Sequence, residues 1–128
     1  MIEAALYSLL TTTAEISAIV GTRVYPVKLP QKPTAPAITY QRIYSARVRS
    51  TSGPSGLTRT RIQIDYWATT WEGAKALADT VREAIDGHRC TTAGTRIGSI
   101  EVEADRDFYE PDALFYRVSQ DLTIWHEE

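Results

Sequence analysis

The feature of this sequence that most limits its possible folds is an alternating segment, residues 58–68, followed at once by a segment of helical periodicity, residues 71–86. Apolar side chains at every second position indicate a strand with one buried face, and apolar side chains at intervals of three and four indicate an amphipathic helix. The strand face comprises Ile62, Ile64, Tyr66 and Ala68, and the helix face comprises Ala74, Leu77, Ala78, Val81 and Ile85. Thr69 and Glu72 have the spacing of a capping box at the helix start. A strand that leads directly into such a helix predicts a sheet with the helix packed on one face.

Three more strands and two N-terminal helices are predicted from the same periodicities. The strands span residues 37–48, 97–104 and 114–125, and the helices span residues 2–10 and 14–20. The fold class is therefore α+β, in a single domain over residues 1–128. We expect an antiparallel or mixed sheet of about four strands, with helix 71–86 on one face and an N-terminal helix.

Two segments between these elements have the composition of connections. Residues 22–36 contain four of the six prolines, which excludes a helix or a central strand and predicts an extended arm. Residues 49–57 combine Ser, Gly and Pro, so we predict a flexible loop between two strands. Loops of this length are often functional, and we expect this one to act in assembly rather than in folding.

Composition excludes several classes of protein. The chain has 128 residues, of which 43% are apolar and 23% charged, which is ordinary for a soluble globular domain. Cys90 is the single cysteine and there are two histidines, so neither a disulfide nor a structural zinc site is expected. No apolar run approaches the length of a membrane span, so we expect no membrane partner. The first twenty residues carry Glu3 and Glu15 and no basic residue, unlike a signal peptide, so we expect a cytosolic origin.

No motif in the sequence carries recognisable catalytic chemistry. Phosphate-binding loops, dinucleotide fingerprints and zinc-protease motifs are absent. His88 and Cys90 follow the end of the predicted helix in a polar stretch, where a surface histidine and an incidental thiol are the simpler interpretations. We therefore predict that the protein is not an enzyme and has no catalytic, cofactor-binding or metal-binding residues. The sequence pI of about 5.7 also argues against sequence-specific DNA binding.

Charge is distributed unevenly along the chain. Residues 1–64 hold eight basic and two acidic residues, a balance of +6, and residues 65–128 hold six basic and 14 acidic residues, a balance of −8. Two opposite clusters supply the candidate interface residues: Arg47, Arg49, Arg59 and Arg61, and Glu101, Glu103, Asp105 and Asp107. The carboxylates occupy alternate positions, so we expect them to point outward together from one strand face. Three alternatives remain open: the charges form a solvated dipole, the clusters pair within the monomer, or they join one chain to another.

A series of short strings then suggests a family. The strings are Val20-Gly-Thr-Arg-Val-Tyr-Pro26, Leu29-Pro-Gln31, Pro36-Ala-Ile-Thr-Tyr-Gln-Arg-Ile43, Gly53-Pro-Ser-Gly-Leu57, Arg61-Ile-Gln-Ile-Asp-Tyr-Trp-Ala68 and Gly73-Ala-Lys-Ala-Leu-Ala-Asp79. In this order they resemble the tail-completion, or tail-terminator, proteins of long-tailed, siphophage-like bacteriophages and gene-transfer particles. The similarity covers residues 1–88 well and the C-terminal strands only in pattern.

The resemblance implies a structural virion protein that forms a ring, usually hexameric, at the head-proximal end of the tail tube. Such a ring stops tube polymerisation and joins the tail to the neck and head. The implied partners are further copies of the chain, the tail-tube protein and a neck or head-closure protein, with genomic DNA passing through. The implied location is the virion, and the host cytoplasm during assembly. The alternatives are another neck component, such as a head-closure protein, and a dimeric α+β regulatory or ligand-binding module.

Overall fold

The computed structural model describes residues 1–50, 53–112 and 114–127. The elements in chain order are α1 (Ile2–Thr12), α2 (Ala14–Val20), β1 (Val24–Pro26), β2 (Ala37–Ser50), β3 (Gly53–Ala68), α3 (Trp71–Ile85), β4 (Cys90–Thr92), β5 (Thr95–Glu110) and β6 (Phe115–Glu127). Within these ranges, no helix is both long and apolar enough to cross a membrane.

The strands form one sheet in the order β1-β2-β3-β6-β5-β4. β1 runs parallel to β2, and every other neighbouring pair is antiparallel. The predicted α+β class with a mixed sheet is confirmed, but the predicted number of about four strands is too low, because the described residues form six. The two missed strands, β1 and β4, are three residues long and lie at the two edges. Three residues are too few to show an alternating pattern, and β1 lies inside the predicted proline-rich arm.

Helix α3 begins at Trp71, as the sequence predicts, and ends at Ile85, one residue before the predicted end. The N-cap is Thr70 rather than Thr69, and its side-chain oxygen accepts a hydrogen bond from the backbone N–H of Gly73 at 3.0 Å. The helix buries the predicted face of Ala74, Leu77, Ala78, Val81 and Ile85. Gly87 follows the helix with φ of +74°, a conformation that glycine adopts without strain.

One hydrophobic core lies between the three helices and a single face of the sheet. Apolar residues of α1 and α2 join those of α3, and all three pack against the alternating residues of the central strands. A buried polar bridge crosses this layer: the Tyr66 hydroxyl donates to Gln120 Oε1 at 2.6 Å, and Gln120 Nε2 donates to the carbonyl of Ala78 in α3 at 3.2 Å. The bridge joins the two central strands, β3 and β6, to the helix above them.

The prediction of a flexible loop over residues 49–57 is wrong for most of this segment, which forms paired strands. β2 extends to Ser50 and β3 begins at Gly53, so that Arg49 lies opposite Pro54 and Ser50 opposite Gly53. The register shifts between Arg47 and Arg49, and Gly56 takes a φ of +81° on the other strand. A β-hairpin with a bulge accommodates glycine and proline, which are unfavourable inside a regular strand. The rest of the predicted loop, residues 51–52, lies outside the described residues.

Candidate assembly surfaces

The sheet face that carries no helix, here called the outer face, is covered by ion pairs. It is formed by alternate residues of the strands, including Arg59 to Trp67 on β3 and Arg117 to Trp125 on β6. Opposite charges lie on neighbouring strands here, at distances that allow direct hydrogen bonds. This network of ion pairs joins β3, β6 and β5 from the side opposite to the core.

Arg117 is the centre of one half of this network. Its Nη1 donates to Asp65 Oδ1 at 3.1 Å, and its Nε and Nη2 donate to Glu110 Oε1 at 3.0 and 2.8 Å. The guanidinium also lies between two aromatic rings, 4.3 Å from the ring centre of Phe108 and 5.4 Å from that of Trp67. Asp65 is only 7% exposed, so the ion pair with Arg117 is needed to offset the free-energy cost of burying its negative charge.

Asp121 is the centre of the other half. Arg106 donates to both of its carboxylate oxygens, at 2.7 and 3.0 Å, and Arg61 donates to Oδ2 at 3.3 Å. Arg61 also binds Glu103 on β5. The hydrogen bonds from Arg106 are the main reason that the pKa of the Asp121 carboxyl lies below its usual range, opposed by partial burial and assisted by the charge of Arg61.

We expect Asp121→Asn to lower the free energy of unfolding by about 1–2 kcal/mol at pH 7, since two arginines lose a charged acceptor. The pKa of Asp121 is lowered by folding, so its contribution is present above the unfolded pKa of about 3.9 and is lost as the pH falls through the lower folded value. Chemical denaturation at pH 7 and at pH 3 measures the difference between wild type and variant. An equal difference at both pH values would contradict this role for the carboxylate.

The prediction that four carboxylates of β5 point outward together is wrong. The register of β5 with β6 shifts between Val102 and Ala104, which makes Glu103 an extra residue in the strand. An extra residue turns every later side chain of the strand to the opposite face of the sheet. Asp105 and Asp107 therefore lie on the helix face, and Asp107 accepts hydrogen bonds from Trp71 Nε1 at 3.2 Å and Lys75 Nζ at 3.4 Å.

The four candidate arginines are also divided. Arg59 and Arg61 lie on the outer face, where Arg59 lies 5.8 Å from the ring centre of Trp125. Arg47 pairs with Thr58 on β3 and lies on the other face, because β2 has its own register shift between Arg42 and Tyr44. Arg49 is exposed near the end of β2. Of the eight candidates, the structure thus pairs Arg61 with Glu103 within one chain.

Both edges of the sheet have long stretches without a partner strand among the described residues. β1 pairs only with Ile38 to Tyr40, so residues 41–50 of β2, here called the basic edge, have no second partner strand among the described residues. β4 pairs only with Thr95 to Ile97, so residues 98–110 of β5, here called the acidic edge, have no second partner strand among the described residues. The segment after α3 covers part of this edge, because the Ile100 carbonyl accepts a hydrogen bond from Gly87 N–H at 2.7 Å and the Val102 N–H donates to Asp86 Oδ1 at 3.0 Å. Arg47 and Arg49 lie on the basic edge, and Glu101, Glu103, Asp105 and Asp107 lie on the acidic edge.

The described residues do not assemble into recognisable catalytic chemistry. Among them, no three potential metal ligands form a cluster. Burial raises the pKa of the Cys90 thiol, which opposes thiolate formation. The hydroxyl of Thr60 lies 2.7 Å from His126 Nε2 and 2.9 Å from Ser45 Oγ, but Thr60 is completely buried, so the contact is a structural hydrogen bond.

Comparison with known proteins gives a family and a fold. The sequence matches the family model described as Tail completion protein gp17 over residues 4–127. Among solved structures, a chain in the virion of a native gene transfer agent (GTA) particle superimposes with a TM-score of 0.81 at 22% sequence identity, over 99% of this chain and 95% of that chain. No curated protein matches the sequence significantly. Because the family model spans nearly the whole chain, the protein belongs to the tail completion protein gp17 family and is a structural component of a phage-like tail, as its residue strings predicted.

Proposed function

We propose that the protein forms a ring, most simply a hexamer, on the head-proximal end of the tail tube. The ring stops tube polymerisation and joins the tail to the neck and head. Its partners are further copies of itself, the tail-tube protein and a neck or head-closure protein, and genomic DNA passes through it without sequence-specific contacts. The observation that carries this proposal is membership of a tail completion family over residues 4–127.

The distribution of charge supports a ring. Rings are built from heterologous interfaces, in which one patch of a subunit meets a different patch of the next. A chain with one basic and one acidic sheet edge offers two different patches of opposite sign. The protein acts in the virion, into which it is assembled in the host cytoplasm.

Removal of the gene tests the proposal in a strain that produces the particles. We expect filled heads without tails, together with detached tails of irregular and excessive length, because nothing stops the tube from growing. An epitope-tagged copy should restore normal particles and be seen by gold labelling as one ring at the head-proximal end of each tail.

Partly assembled particles distinguish this role from its alternatives. A tail terminator copurifies with tails from a mutant that makes no heads. A head-closure protein would instead copurify with filled heads from a mutant that makes no tails. A regulatory or ligand-binding module would be absent from both. Either of the last two results would overturn the proposal.

A further inference from the structure

An apolar groove opens at the surface between helix α1 and the strands β1 and β2, and is here called the α1–β2 groove. Its volume is about 470 Å³, which is within the range of sites that hold a sizeable ligand. Its walls include Tyr7, Pro26, Val27 and Tyr40, of which Val27 is 67% exposed and Tyr7 is 37% exposed. An exposed apolar surface of this kind is typical of a site that binds another protein.

Glu3 and Arg42 form the polar rim of this groove. Arg42 Nε lies 3.7 Å from Glu3 Oε2, which is too far for a hydrogen bond, and the side chain of Arg42 is 50% exposed. Glu3 Oε1 is buried and accepts no hydrogen bond within the described part of the chain. A buried acceptor without a donor costs free energy. The groove is therefore complementary to a segment that combines an apolar side chain, a hydrogen-bond donor and a negative charge.

The turn between β5 and β6 has these three features. Leu114 is 69% exposed in this turn, and its backbone N–H donates no hydrogen bond within the described part of the chain. Asp112 is exposed and has no ion pair among the described residues. Residues 107–116 contain three carboxylates and no basic residue, whereas residues 16–64 contain eight basic residues and no carboxylate. The turn and the side of the chain that carries the groove are thus opposite in charge.

Val27 in the groove and Leu114 in the turn share a strained backbone conformation. Their φ angles are +67° and +58°, in the left-handed region that β-branched and bulky residues rarely adopt. Glycine or asparagine would relieve this strain at an exposed position. A strained backbone that holds a large apolar side chain in solvent is doubly unfavourable in an isolated chain, which indicates that both side chains act in an interface.

We propose that the β5–β6 turn of one copy docks into the α1–β2 groove of the next copy, with Leu114 packed against Tyr7 and Val27 and with Asp112 beside Arg42. This inference rests on the proposed ring and specifies one contact between its subunits. The two surfaces are different parts of the chain, as a heterologous interface requires. Their opposite charges favour the contact of a turn with a groove over the contact of two turns.

The β5–β6 turn does not reach the groove of its own chain. Tyr40 in the groove lies in the same sheet row as Ile64 and Gln120. Leu114 precedes Gln120 by six residues, which is about 20 Å along a strand, and β3 lies between β6 and β2, which adds two strand spacings, about 10 Å in all. The turn that fills the groove therefore comes from a second copy of the chain.

Substitution by asparagine tests each side of the contact and relieves the strained backbone at the same time. We expect Leu114→Asn and Val27→Asn to fold, with urea midpoints at or above that of wild type, because asparagine adopts a positive φ more readily. In a strain that lacks the gene, we expect each variant to lower the yield of complete particles at least tenfold. Wild-type yield from Leu114→Asn would overturn the proposal.

Ala93→Asn is the matched control for relief of strain. Ala93 is exposed in the turn between β4 and β5, where it has a φ of +47° and precedes Gly94 with a φ of +78°. Asn-Gly is the preferred sequence for two successive residues of positive φ in a hairpin turn. We expect a raised urea midpoint and a normal yield of particles. A tenfold loss of yield here would mean that relief of strain alone blocks assembly, which would overturn the interpretation of the other two variants.

Filling the groove gives a test that leaves the turn unchanged. Ala4 lines the groove from α1 and is partly exposed, so Ala4→Trp should fold and should occupy the space that the turn needs. We expect this variant also to lower particle yield at least tenfold. Loss of particles from Ala4→Trp with normal yield from Leu114→Asn would mean that the groove receives the tail-tube or neck protein, and would overturn the proposal.

Cross-linking in assembled tails is the decisive measurement. Ala4→Cys and Leu114→Cys are combined with Cys90→Ser, which removes the native thiol. A short bismaleimide should then link copies into a ladder of species up to the whole ring, whereas Ala93→Cys/Leu114→Cys/Cys90→Ser should give no ladder. Rings without cross-links between positions 4 and 114 would overturn the docking and leave the proposed function standing. Absence of the wild-type chain from tail ends would instead overturn the proposed function itself.

Discussion

Replacing Arg117 by methionine is expected to lower the free energy of unfolding by about 2–4 kcal/mol, the largest effect of any single change on the outer face. The substitution keeps an apolar side chain between Phe108 and Trp67 but removes three hydrogen bonds to Asp65 and Glu110. Removal of one partner from a buried ion pair leaves an uncompensated charge, which costs about 3–5 kcal/mol when burial is complete. Arg117 is 19% exposed in its side chain, so the expected cost is somewhat smaller.

Three variants separate this effect from a general loss of charge. Arg96→Met removes a guanidinium that is 72% exposed and 3.8 Å from Glu127, so it should cost less than about 0.5 kcal/mol. Arg117→Lys keeps the charge but not the forked geometry, and should fall between the two. The double variant Arg117→Met/Asp65→Asn should recover part of the free energy of unfolding that Arg117→Met loses, because it removes the uncompensated charge of Asp65. Equal urea midpoints for Arg117→Met and Arg96→Met would contradict the account.

Regular periodicity explains which parts of the fold were predictable. The strand that ends at Ala68 and the helix that begins at Trp71 were correctly predicted, because burial on one face imposes a repeat that the sequence must show. β1 and β4 were missed because each consists of three residues at an edge, held by backbone pairing and not by a buried side-chain pattern. The 49–57 segment was mistaken for a loop because glycine and proline were interpreted locally, whereas pairing across the β2–β3 arm overrides that preference.

The candidate interface residues were harder to predict, because one extra residue decides their direction. Alternation placed Glu101 to Asp107 on one face, and the bulge at Glu103 moves Asp105 and Asp107 to the other. Nothing in a single strand shows such a shift, since it exists only relative to the partner strand. The sequence analysis also missed Arg117 and Asp121, which the structure places at the centre of the outer-face network. A signal was present, since each is an outward residue on a strand whose neighbours carry the opposite charge.

The buried bridge between Tyr66 and Gln120 gives the second large effect on stability. Gln120→Leu removes the acceptor of the Tyr66 hydroxyl at 2.6 Å, and both residues are completely buried, so water does not replace it. An orphaned buried hydroxyl costs about 1–3 kcal/mol. Tyr66→Phe should cost a similar amount, because it leaves Gln120 Oε1 without its donor.

The double variant Tyr66→Phe/Gln120→Leu should be less destabilised than the sum of the two single variants, because it leaves no polar atom of this pair unpartnered. Urea denaturation of all four proteins at pH 7 measures this coupling.

Burial also raises the pKa of Tyr66 well above its usual value, so the folded state retains a proton that the unfolded state releases above about pH 10. Stability from this group is therefore complete below pH 10 and declines above it. Tyr66→Phe should consequently lose less stability than wild type between pH 9 and pH 11. Strict additivity at pH 7 would show that the hydroxyl is not held by Gln120, and an identical alkaline decline would show that burial does not raise the pKa of Tyr66.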